Sequence, residues 1–197
     1  IHGCEFYICD DTSVRDKNNK YYHLIALCKN ETGRINLNTL ISMSEHPSRK
    51  YFKPRIDFNL LAEHKDGLII MSACLAGEVS KAILNDEYDL AVSIAKKYHT
   101  LLGDDYYLEV QSHMDPKQIA VNQKILEISE QLHISCVVTT DAHYTREVDR
   151  KYQNKYAFNG SYKEDGEAYV DCYLQSEQEV RDKLSYLPPA VIDLLIQ

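Results

Sequence analysis

Residues 67–110 read GLIIMSACLAGEVSKAILNDEYDLAVSIAKKYHTLLGDDYYLEV. The stretch opens on a short continuous apolar run, residues 67–73, the mark of a strand buried on both faces. Two helical segments follow, 77–84 and Tyr88–Leu102. In the second, Leu90, Ile94, Tyr98, Leu101 and Leu102 make one apolar stripe. Gly103, Asp104 and Asp105 stop it, and residues 106–110 read as the next strand. Apolar strands alternating with helices predict parallel strands joined by helical crossovers, an α/β sheet or barrel.

The same rhythm extends in both directions. Downstream, residues 118–132 form an amphipathic helix, and 134–139 a further buried strand that ends at Thr140-Asp141-Ala142-His143. Upstream, residues 1–9 and Tyr21–Cys28 read as strands separated by a polar loop or hairpin at 10–20. Residues 30–33 are turn chemistry, and 35–44 have helical spacing. Residues 47–54 break that helix, and Asp57 is placed to cap a short helix running to His64. Beyond His143 the pattern weakens. Residues 159–167 read as an exposed loop, 172–174 as a last strand, and 177–184 and 190–196 as two short helices parted by Pro188 and Pro189.

The composition agrees with a globular domain. Of 197 residues, 44% are hydrophobic and 26% charged, which excludes a disordered chain. Seven glycines and five prolines exclude collagen-like and low-complexity classes. No apolar run approaches the ~18 residues of a membrane helix. The net charge of −8 is a poor general grip on a phosphate backbone, so any nucleic-acid contact needs bound cations or a larger basic polypeptide. The six cysteines contain no CxxC pair. Four of them, Cys4, Cys28, Cys74 and Cys136, lie in apolar runs and read as buried free thiols of a cytoplasmic protein, one of them a potential ligand. The chain opens on Ile1 inside a strand-like run with no signal peptide, as expected of a piece of a longer polypeptide.

Function in α/β sheets and barrels gathers at strand ends. Glu5 lies in the first strand, His23 in the second, and Cys74 directly after the third. Glu109 and His113 border the next strand, and Asp141 and His143 close the last. Imidazole and thiolate suit zinc or iron, and carboxylates bridge metals or admit manganese and magnesium. In an extended segment Asp141 and His143 point to one side. Clustered cations activate water against a phosphoryl centre, so the inferred chemistry is phosphoester hydrolysis. Taken singly, His23 also fits a core histidine and Cys74 a buried thiol. Glu5 in an apolar strand is costly unless paired or metal-bound. His46, His64, His99 and His133 read as surface residues.

The order IHGCEFYICDD, YYHLIALCKNETG, YFKPRID, EHKDGLIIMSACLAGEVS, YYLEVQSH, VVTTDAHY, through about Tyr144, resembles the polymerase-and-histidinol-phosphatase (PHP) domain of the bacterial DNA polymerase III alpha subunit. The resemblance implies a partial distorted (βα)7 barrel over residues 1–146, with 147–197 as a C-terminal extension toward the polymerase body. It implies that Glu5, His23, Cys74, Asp141 and His143 take metal-ligand positions for divalent Zn, Mn or Mg, and it gives His113 no ligand role. The family's first His-x-His motif and its Asp-His pair are expected before Ile1, which leaves five of nine ligands in this sequence.

Three functions follow. The first is a PHP module of a replicative DNA polymerase carrying a metal-dependent phosphoesterase or 3′–5′ proofreading exonuclease site. The second is an inactive scaffold for the polymerase or its exonuclease subunit. The third is a small-molecule phosphatase of the histidinol-phosphate type, with Arg55 as a weak substrate-binding candidate. The expected partners are DNA, through the parent polymerase, and other replicative subunits, with no membrane.

Overall fold

A computed structural model describes residues 1–17, 21–157 and 171–196. The predicted loop at 159–167 lies outside them. Six strands form a sheet in the order β3-β1-β2-β4-β5-β6: β1 Gly3–Cys9, β2 Tyr21–Cys28, β3 Ile56–Asp57, β4 Leu68–Met71, β5 Tyr106–Gln111 and β6 Cys136–Thr139. The helices are α1 Glu31–Ser44, α2 Phe58–Glu63, α3 Glu78–Leu84, α4 Tyr88–Leu102, α5 Pro116–Leu132, α6 Arg150–Ala157, α7 Glu177–Lys183 and α8 Pro189–Ile196. The fold is mixed α/β with an open sheet, in keeping with a partial PHP-type barrel.

The sheet mixes both directions, where the strand–helix rhythm predicts parallel strands and the 10–20 link a loop or hairpin. β1 pairs with β3, and β4 with β5, in parallel, but β1–β2 and β2–β4 are antiparallel. The reason for the first antiparallel pair is length. A parallel return needs a crossover of a dozen or more residues, usually through a helix. The link between Cys9 and Tyr21 is 11 residues long, short of that length. The turn chemistry at 30–33 is also resolved differently, because Asn30 is the N-cap of α1. Its side chain accepts a hydrogen bond from the Gly33 amide (3.0 Å), so the helix begins at Glu31. Asp57 caps α2 as predicted, accepting from the Leu60 amide (2.9 Å).

The chain divides into two compact units. The first comprises Ile1–Glu109 and Lys124–Ser135. Its core is Phe6, Ile8, Leu24 and Ala26 of the hairpin, Ile70 of β4, Leu40 of α1, Tyr98 of α4 and Ile125 and Ile128 of α5. Gly33 and Gly67 let the start of α1 approach the turn before β4. A Cβ on Gly33 would collide with the Gly67 carbonyl, and Gly67 itself holds a left-handed φ of 75°.

The second unit comprises Val110–Gln123 and Cys136–Gln197. In it α8 packs on β6, and Val180, Leu184, Leu187, Ile192 and Leu195 are buried. Asn122, placed by its spacing on the apolar stripe of α5, is a fully buried clamp. Its amide donates to the Gln111 carbonyl (2.8 Å), and its carbonyl oxygen accepts from the Gln111 amide (3.2 Å). β6 is half-buried at all four residues rather than enclosed on both faces, because it is the last strand in the sheet order. The predicted strand at 172–174 is reduced to one parallel bridge, Tyr144 to Tyr173.

Candidate metal centre

In the first unit, β1 and β2 run side by side and bring Glu5 and His23 together, with an ion pair between the Glu5 carboxylate and the His23 Nδ1. The loop after β4 adds the third group. The His23 amide donates to the Ala76 carbonyl (3.0 Å), and a bridge joins His23 to Gly77. That seats the Cys74 sulfur 3.5 Å from His23 Nδ1. The loop is tight. Ala73 has a left-handed φ of 61°, and a Cβ on Gly77 would meet the Ser72 carbonyl. The Ala76 amide donates to Cys74 Sγ (3.5 Å).

Cys74, then Glu5, favour the charged imidazole and push His23 up to about 10. A cation at this ring competes with that proton, so metal uptake here is linked to proton release. Glu5 is not the buried carboxylate that its apolar strand implies. Its side chain is 38% exposed, because β1 turns that face toward solvent.

In the second unit, β6 ends at Thr139 and Asp141 adopts a left-handed φ of 44°. Asp141 and His143 are neighbours through this tight turn, not through an extended pleat. His143 Nδ1 donates to the Asp141 carbonyl (2.6 Å), which makes Nε2 the basic nitrogen of the neutral ring. Among the described residues, one set of three His, Cys or acidic donors lies mutually within 4.8 Å: Asp141, His143 and Cys172. Sequence reasoning missed Cys172, since it placed that residue in a strand and no ligand spacing marks it.

His113 is buried in the same unit, with Nε2 3.0 Å from the Thr140 carbonyl. All six cysteines are free thiols. Only Cys9 and Cys172 are buried, so Cys4, Cys28, Cys74 and Cys136 are less enclosed than their apolar runs predict.

Arg55 is 1% exposed and serves as an internal tie. Its guanidinium donates to the carbonyls of Arg49 (3.1 Å), Val14 (3.2 Å) and Thr12 (2.9 Å). A cavity of about 630 Å³ in the first unit opens between β2, α3 and α4. Its wall mixes Asp10, Lys17, Tyr22, Glu78, Lys81 and Leu90 and contains none of the five predicted ligands.

The residue chemistry fits divalent cations, since the second unit gathers a carboxylate, an imidazole and a thiol, and in the first Glu5 and Cys74 each contact the His23 ring. A mixed α/β sheet with such donors on and just after its strands defines an α/β class whose strand ends could hold cations. The PHP domain family matches residues 1–113, and the chain belongs to that family.

Its relatives are named DNA polymerase III subunit alpha. That of Treponema pallidum is 35% identical over 98% of this chain and 17% of its own length. That of Thermus aquaticus is 36% identical over 77% of this chain and 13% of its own length. That of Helicobacter pylori strain 26695 is 37% identical over 78% and 14%. The chain thus spans less than a fifth of the curated relatives it matches. No helix among the described residues is long and apolar enough to cross a membrane.

Proposed function

We propose that this chain acts in cytoplasmic DNA replication as the metal-binding PHP module of a polymerase alpha chain, and that cations held by its donor groups hydrolyse phosphodiesters at a DNA 3′ end. The observation that carries the reading is the donor chemistry, with Glu5 and Cys74 each against the His23 ring in one unit and Asp141 beside His143 in the other. Divalent zinc, manganese or magnesium held there would activate water and neutralise charge at the phosphoryl group. The protein's own groups orient the ligands. Glu5 fixes the His23 ring through Nδ1, and the Asp141 carbonyl fixes that of His143. Bound cations would also supply the attraction for DNA that a chain of net charge −8 lacks. The module divides at about residue 146, with 147–197 leading toward the polymerase body and its partner subunits.

The small-phosphate reading depends on Arg55, whose guanidinium is committed to backbone carbonyls. The test uses the full-length natural polypeptide, measured for metal content and for release of nucleotides from a 3′-labelled oligonucleotide. Asp141→Asn should lower metal content and nuclease rate together. Bound metal without nuclease activity would favour the scaffold reading, and no bound metal would overturn the metal site itself.

A further inference from the structure

The segment 171–175 is fastened beside the end of β6 from several sides. The Cys172 carbonyl accepts from the His143 amide (2.7 Å) and the Tyr144 amide (3.3 Å), and the Leu174 amide donates to the Tyr144 carbonyl (3.2 Å). The Asp171 carboxylate accepts from the Met114 amide (3.2 Å) and from Lys183 Nζ (2.8 Å). Gln175 donates to the Asp171 carbonyl (2.6 Å) and accepts from the Ser112 hydroxyl (2.8 Å). Cys172 sits between these anchors, 7% exposed, with its donor atom inside the 4.8 Å set formed with Asp141 and His143.

A buried cysteine is commonly an apolar filler. The neighbours of Cys172 are different. His113 Nε2 lies 3.0 Å from the Thr140 carbonyl and 3.8 Å from Cys172 Sγ. His113 thus links the Thr140 turn to the Cys172 sulfur.

We infer that Cys172 is a third, thiolate ligand to the cation held by Asp141 and His143, so that the second unit forms a soft Asp–His–Cys site for zinc or cobalt(II) rather than magnesium. The inference rests on the reading that Asp141 and His143 bind a cation. On binding, the thiol loses its proton to solvent and the sulfur takes up the metal. His113 is a positioning residue that holds the Thr140 turn and the sulfur. Softness follows from the ligand, since thiolate selects zinc-like ions while carboxylate and water suffice for magnesium.

The test is cobalt(II) titration of the metal-stripped full-length polypeptide, read by the thiolate-to-cobalt charge-transfer absorption in the near ultraviolet. Cys172→Ala, Asp141→Asn and the control Cys136→Ala are compared with the unmodified protein. Cys172→Ala should remove part of that absorption and weaken cobalt binding by at least the 10–100-fold typical of losing an outer-shell partner. Asp141→Asn should remove the same part of the spectrum, and Cys136→Ala none. Stoichiometric cobalt binding with a spectrum unchanged in Cys172→Ala would overturn the assignment of Cys172 alone. No cobalt binding by the unmodified protein would overturn both this assignment and the metal site it rests on. Since Ala fits any space that holds Cys, misfolding is checked by far-ultraviolet circular dichroism, and Cys172→Ser then serves as the second variant, with the same loss of absorption expected.

Discussion

Replacing Arg55 by Met keeps most of the buried volume and removes the guanidinium. Three backbone acceptors then lose their donor: the Thr12 carbonyl in the interior, and those of Val14 and Arg49 at its margin. A hydrogen bond from a charged group contributes about 1.5–3 kcal/mol, and an orphaned buried acceptor costs about 1–3 kcal/mol. With one bond fully buried and two partly exposed, the expected loss is about 3–5 kcal/mol, a large share of a typical domain's stability. The stacking of Arg55 over Tyr51, 5.4 Å from guanidinium carbon to ring centroid, is lost as well. Arg55→Lys should recover only a fraction, because an ammonium cannot span the planar fork that reaches three carbonyls. The assay is urea unfolding followed by circular dichroism, read as a shift in midpoint at constant slope. A loss below about 1 kcal/mol, accompanied by a raised KM for a phosphoester, would refute the internal tie and return Arg55 to substrate binding.

Cys74→Ser should weaken zinc binding far more than manganese binding, because a hydroxyl is a harder and poorer ligand than a thiolate; competition titration with both ions checks this, and equal losses would remove Cys74 from the ligands. Glu78 is held above the usual carboxylate range by burial, against the opposing hydrogen bond from the Tyr98 hydroxyl (3.0 Å). A raised folded pKa means that its contribution is complete below the unfolded value and lost as pH rises through the folded one. Glu78→Gln should therefore raise stability at neutral pH and flatten the fall above the ordinary glutamate range, as measured by urea midpoints from pH 4 to 8. Gly33→Ala forces a methyl group into the Gly67 carbonyl and should cost about 1–3 kcal/mol, read by the same unfolding assay; a neutral result would show that the α1–β4 approach is soft.

The sequence by itself determined the elements of this protein, because their causes are local. The apolar run before Ser72, the stripe of Tyr88–Leu102 and the cap at Asp57 each act within a few residues, and each stands where its pattern places it. It also determined the family, since the blocks up to Cys74 carry the resemblance that the match over residues 1–113 bears out. Strand direction was not local. β2 and β4 run antiparallel although α1 and α2 lie between them in sequence, and the alternating pattern is the same either way. The exposure of Glu5 depended on what covers its face of β1, which no residue in the strand encodes. Asn122 looked like part of an apolar stripe until its partners at Gln111, eleven residues away, were in place. Cys172 is the furthest case. Only the hydrogen bonds that tie 171–175 to 112–114 and 143–144 bring its sulfur to Asp141 and His143, and a contact across about thirty residues leaves no periodicity to read.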